Sequence, residues 1–175
     1  MKVGKTMVLK IVIAAVIAFT VCFALYKLYP FTFIFVAAQQ AKRTQVRLLC
    51  KTDHQALLKA CRDLSKEVPG GNLKPGRYYL SGSDPAPEAS EFPQPILDLW
   101  PSYVFIHDDG CVKLEMLGGL SHFGVSAYPE DYEEPFHGFE YGDIELIDGL
   151  WYYDDEYKGH PEYQKRIEAL IQKGK

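Results

Sequence analysis

Tyr103-Val104-Phe105-Ile106-His107-Asp108-Asp109-Gly110-Cys111-Val112-Lys113-Leu114-Glu115-Met116-Leu117 is the stretch on which the fold turns. Val112, Leu114 and Met116 alternate with Cys111, Lys113 and Glu115, the period-two pattern of a half-buried strand. Tyr103 to His107 is a second strand-like run, and Asp108-Asp109-Gly110 between them is turn chemistry. An Asp-Gly pair predicts a tight hairpin, with both central residues at positive φ. Two adjacent strands joined this way must run antiparallel, which sets the sheet type for what surrounds them.

Toward the C-terminus, Phe123 to Tyr128 reads as a third strand. Asp143 to Ile147 and Leu150 to Tyr153 form a second hairpin about Asp148-Gly149. His160-Pro161 then opens a helix with proline at its first position, and Tyr163, Ile167, Leu170 and Ile171 give it an apolar face. Toward the N-terminus, Ile96 to Trp100 is a helical turn before Pro101. Residues 81–95, with Pro85, Pro87, Pro93 and Pro95, read as an exposed loop, and Arg77 to Leu80 as a short strand after Lys74-Pro75-Gly76. Thr52 with Gln55 three residues on has capping-box spacing. Leu57, Cys61, Leu64 and Val68 follow at helical intervals, and Pro69-Gly70-Gly71-Asn72 stops the helix, predicted over 53–67. Residues 52–175 are therefore expected to be one α+β domain: a mostly antiparallel sheet flanked by an N-terminal and a C-terminal helix, without βαβ rhythm.

Ahead of this domain lies a different chemistry. Ile11 to Tyr26 carries no charge, and nine of its sixteen side chains are Ile, Val, Leu or Phe. Transfer of those nine into lipid favours insertion by roughly 3–5 kcal/mol. The run reaches about 24 Å as a helix, and the stems of Lys10 and Lys27 lengthen it toward the ~30 Å hydrocarbon core. Tyr26 and Tyr29 suit headgroup depth, and Pro30 is expected to kink or end the helix. The expected organisation is a basic tail at 1–10, a transmembrane helix at 11–29 or kinked on to 38, and a basic connector at 39–51. The rival reading is a cleaved signal peptide ending near Val36-Ala37-Ala38. It fits less well, because the apolar stretch outruns a 7–15-residue signal core. Four positive charges on each side leave the orientation almost undecided. The signal-like start favours a domain on the extracytoplasmic side.

Residues 1–80 hold 13 Lys and Arg against 3 Asp and Glu, while residues 81–175 hold 6 against 20. The net charge of −4 thus hides a polarised molecule. The basic part can lie on anionic headgroups of a lipid bilayer. The acidic domain lacks the footprint that nucleic acid demands. Cys22, Cys50, Cys61 and Cys111 contain no Cys-x-x-Cys pair. Cys111 can reach Cys50 or Cys61 only if the fold brings them together in an oxidising compartment, and ordinary buried thiols are the simpler expectation.

The chemistry concentrates in 128–157, with eleven Asp or Glu and no Lys or Arg. Tyr141, Asp143, Trp151, Tyr153, Asp154, Asp155 and Tyr157 are the candidate binding residues, since acids interleaved with aromatics suit a protein surface or a polysaccharide. The competing reading makes the aromatics core and the acids solvated. No cofactor or metal is implied: Asp154-Asp155-Glu156 lacks a calcium-loop pattern. His107, Asp108 and His122 are the candidate catalytic residues, a base with a carboxylate to fix its tautomer, and Ser121 or Ser126 offers a nucleophile. Neither a Gly-x-Ser-x-Gly elbow nor a His-Glu-x-x-His helix is present. The expectation is a membrane-tethered domain that binds without catalysing. The alternatives are a small hydrolase with a His/Asp site near 107–122 and a structural subunit of a membrane complex.

Overall fold

The computed structural model describes residues 4–67, 73–80, 87–118, 121–132, 143–155 and 160–174. The alternation in Val112–Gly118 (β3) does what its pattern dictates: Val112, Leu114 and Met116 are buried while Lys113 and Glu115 are half-exposed. Its neighbours are Tyr103–Ile106 (β2) and Ser121–Ala127 (β4), both antiparallel, with Val104 opposite Leu114 and Val125 opposite Leu114. Gly76–Tyr79 (β1) pairs with β2 at one edge. Leu150–Asp154 (β6) pairs with β4, and Ile144–Ile147 (β5) closes the other edge. The result is a six-stranded antiparallel sheet in the order β1-β2-β3-β4-β6-β5. The expected α+β class is observed.

Among the described residues four α-helices complete the fold, Lys5–Cys50 (α1), His54–Glu67 (α2), Gln94–Leu97 (α3) and Pro161–Gly174 (α4), with a short 3-10 helix at Pro87–Glu91. One core takes Leu48 and Leu49 from α1, Leu57, Cys61 and Leu64 from α2, and Ile167 and Ile171 from α4. These meet alternate strand residues such as Val104, Leu114, Val125, Leu150 and Tyr152. Each fully buried Leu or Ile contributes roughly 1.5–3 kcal/mol. The opposite strand parity holds Tyr103, Phe105, Lys113, Glu115, His122 and Tyr153. Three contacts tie it together. The Arg77 guanidinium lies 3.7 Å from the Tyr103 ring centroid, and the Lys113 ammonium 4.0 Å from that of Tyr153. Tyr153 also crosses Gly124 to donate its hydroxyl to the Leu114 carbonyl at 3.2 Å. A Cβ on Gly124 would lie 1.9 Å from that carbonyl oxygen, so the crossing requires glycine there.

Local expectations are corrected in three places. The cap of α2 is Asp53, whose Oδ1 accepts from the Ala56 amide at 3.0 Å, while the Thr52 hydroxyl turns back to the Arg47 carbonyl. In the first hairpin only Gly110 has positive φ, at 85°. The Gly110 amide bonds the His107 carbonyl and the Cys111 amide bonds Asp109 Oδ1. The turn is therefore a three-residue loop ending on a left-handed glycine, which asks less of Asp109 than two positive φ angles would. Finally, α1 runs unbroken from Lys5 through Pro30 to Cys50, so of the two expectations for Pro30 the helix end is not observed, and the basic stretch after residue 38 is helical as far as Cys50.

Among the described residues no helix is long and apolar enough to cross a membrane. Of the expected span at 11–29, the side chains of Ile11, Val12 and Leu28 lie outside the described residues, as do Tyr141 and Tyr157 of the candidate binding set and the expected helix stop at Pro69–Asn72. The described side chains run without interruption from Ile13 to Lys27, roughly 22 Å of helix against a ~30 Å hydrocarbon core.

Candidate functional site

Four clefts border one stretch of the chain, from Ala38 near the end of α1 to Lys51 just past it. This segment alone of α1 is both packed on the domain and rich in polar side chains. Its apolar residues Leu48 and Leu49 enter the core, and its remaining faces carry Lys42, Arg43, Gln45, Arg47 and Lys51.

On one flank a cavity of about 200 Å³ lies between α1 and α4, over β6. Its floor is a buried polar cluster built from three distant parts of the chain. Gln45 and Asp154 are only 6% and 5% exposed. The inward parity of β6 that buries Leu150 and Tyr152 also carries Asp154 inward. Gln45 Nε2 donates to the Tyr152 and Tyr163 hydroxyls, each at 2.7 Å, and reaches Asp154 Oδ2 at 3.4 Å. The Tyr152 hydroxyl donates to the same carboxylate oxygen at 3.1 Å, and the Tyr163 hydroxyl also donates to it. Arg166 Nη2 donates to Gln45 Oε1 at 3.3 Å. Burial, then the Asp154 charge, pushes the Tyr152 hydroxyl well above its ordinary range. Burial, followed by the hydrogen bond to Asp154, raises Tyr163 as well. The tyrosines therefore stay protonated and act as donors to the carboxylate. Such a network satisfies an otherwise costly buried charge and locks α1, β6 and α4 in one arrangement.

On the other flank a groove of about 510 Å³ separates α1 from the chain between α3 and β2. Arg43 and Arg47 form one wall, and Leu99, Trp100 and Ser102 the other. Trp100 is 73% exposed and has φ of 56°, the one positive φ found at a non-glycine residue among those described. Its amide closes the turn after α3 onto the Leu97 carbonyl at 2.9 Å. A residue just past a helix end often takes this left-handed conformation, but glycine or asparagine usually supplies it.

The candidate residues named from sequence are dispersed. His107 sits at the hairpin beside the Ile106–Val112 pair, and His122 pairs with Leu117 at the other end of β3. Five strand residues, roughly 17 Å, separate them. His122 Nδ1 instead meets Glu115 Oε1 at 2.9 Å, and Asp108 is an exposed turn residue. Tyr153 and Asp154 are buried, Asp143 and Trp151 half-buried, and Asp155 exposed. Cys61 and Cys111 are fully buried thiols on either side of the contact between α2 and the first hairpin, and Cys50 bonds the Leu170 carbonyl at 3.0 Å. Among the described residues no group of three or more His, Cys, Asp or Glu is placed to hold a metal ion.

Protein-family models, curated proteins and solved structures were compared with the chain. None matches it. The geometry thus stands on its own, and it moves attention from 128–157 to α1. Sequence reasoning passed over Gln45 and Trp100. A glutamine at a core-facing helical position, five residues before Cys50, was one available signal. A tryptophan before Pro101 at a predicted helix end was the other.

Proposed function

We propose that the protein is a single-pass membrane-tethered α+β domain that binds without catalysing, with the N-terminal part of α1 seated in lipid. One observation carries this reading. The large apolar side chains of α1 stand in the open all round the helix: Ile13, Val16, Ile17, Phe19, Val21, Phe23 and Leu25 are each about half exposed or more, Phe19 at 75%. A helix that is apolar on every face needs an apolar solvent, and so large an exposed patch is unstable against water. The reading takes Ile11, Val12 and Leu28 from the sequence to complete the span, with Lys10 and Lys27 reaching outward at its ends. It takes the packed, hydrogen-bonded end of α1 as the rigid mount for the domain.

The same reading places the domain on the extracytoplasmic side and gives it a protein or a polysaccharide as partner. The exposed Glu130, Asp131, Glu145, Asp148 and Asp155 with half-buried Trp151 support that partner chemistry. Sedimentation tests the tether. The full-length protein is expected in the membrane pellet through high-salt washing and in the supernatant only after detergent. Recovery in the high-speed supernatant without detergent refutes it. Protease added to intact cells is expected to digest the domain, and digestion only after the membrane is opened refutes the side assigned.

A further inference from the structure

We infer that the groove between Arg43, Arg47 and Trp100 is a binding site for the phosphate headgroup of an anionic phospholipid. The inference rests on the tether reading and deepens it. Three independent features meet in the groove. The first is charge: Arg43 and Arg47 are both exposed and lie four residues apart on α1, so they repel one another unless an anion sits between them. Arg47 Nη1 is only loosely held by the Asp98 carbonyl at 3.5 Å, and the Asp98 carboxylate is engaged by Gln94 at 2.6 Å. The guanidinium forks are therefore available for the paired hydrogen bonds that phosphate accepts.

The second feature is Trp100. An exposed indole in a left-handed conformation just before Pro101 is costly in two ways: the backbone is strained and the ring is wet. A glycine would close the same turn without either cost, so the ring has a use that the fold does not supply. Tryptophan is the side chain that settles at headgroup depth. The third feature is position. Ile34, Phe35 and Val36 are exposed apolar residues of α1, and Arg43 follows Val36 by about 10 Å of helix. A headgroup in the groove would thus set its glycerol and upper acyl chains against Ile34, Phe35 and Val36, the exposed apolar residues between the span and the groove. The volume of about 510 Å³ suits a glycerophosphate headgroup.

Calorimetric titration of the full-length protein in a neutral detergent tests the site, using three soluble probes: dihexanoyl phosphatidylglycerol, dihexanoyl phosphatidylcholine and inorganic phosphate. Saturable binding of the phosphatidylglycerol is expected. The double variant Arg43→Gln, Arg47→Gln should weaken it about tenfold or more, the loss of one to two charge-assisted hydrogen bonds. Trp100→Gly should weaken it too while leaving the thermal midpoint unchanged or higher, which a purely structural tryptophan would not do. Equal affinity for phosphatidylcholine, equal affinity for inorganic phosphate, or no loss in the double arginine variant overturns the assignment. Because the titration is done in detergent, it is decided separately from sedimentation, which alone judges the tether.

Discussion

Raising the pH should unfold the domain cooperatively between about pH 10 and 11, and the structure says why. Cys61 and Cys111 are wholly buried, and burial pushes both thiols up from an ordinary value of 9.0, Cys111 to about 12 and Cys61 further. Tyr152 and Tyr153 are raised from 10.0, again chiefly by burial. In the unfolded chain these four groups lose protons near their ordinary values, while in the fold they keep them. The unfolded state therefore binds fewer protons at high pH, and stability, fully present below about pH 8.5, falls as pH rises. At about pH 10.5 each thiol has cost roughly 2 kcal/mol and each of the two tyrosines roughly 1, about 6 kcal/mol together. That is comparable with the whole stability of an ordinary domain, about 5–15 kcal/mol. Tyr163 acts in the same direction but is half-exposed and adds less. The assay is a pH titration of the full-length protein in detergent, following circular dichroism together with tyrosinate absorbance and thiol reactivity. The buried groups should ionise in one step coincident with loss of dichroism. Complete ionisation of all tyrosines and thiols near their ordinary values, with the dichroism intact, refutes the reasoning.

Gly124→Ala places a methyl 1.9 Å from the Leu114 carbonyl oxygen and 2.7 Å from the Tyr153 hydroxyl. It should destabilise by about 3 kcal/mol or more, the upper end of overpacking, read as a lowered urea midpoint. Tyr163→Phe removes one donor from the Asp154 carboxylate and should cost about 1–2 kcal/mol. In a double-mutant cycle with Gln45→Leu its effect should be non-additive, since the two side chains share the network. Ile17→Asp combined with Phe19→Lys sets two charges in the middle of the proposed span, at a cost of about 5–7 kcal/mol, and should shift the protein from membrane pellet to supernatant. His122→Ala should leave the urea midpoint within about 0.5 kcal/mol of the parent, because the His122 side chain is 51% exposed at the sheet surface and its ion pair with Glu115 is open to water.

What the sequence determined by itself is local and periodic. The alternation in 111–117, the two Asp-Gly turns and the apolar stripes of 53–67 and 161–171 each encode an element through neighbours within a few residues, and antiparallel pairing follows from short connections. The uncharged run from Ile11 to Tyr26 was equally legible as a distinct chemistry. The tertiary structure decided what depends on distant residues. Whether Pro30 ends a helix depends on what surrounds it, and α1 continues. Aromatic residues at 151–153 look alike in sequence, yet strand parity sends Tyr152 to the core with Asp154 and Tyr153 to the other face, across Gly124. Gln45, Asp154 and Tyr163 lie more than a hundred residues apart at their extremes, and only packing makes them one network. The basic residues of 42–51 read as a connector until the fold set Trp100 against them. Side-chain period is written in the chain, whereas the choice of neighbour across a core is made by the closure of the whole.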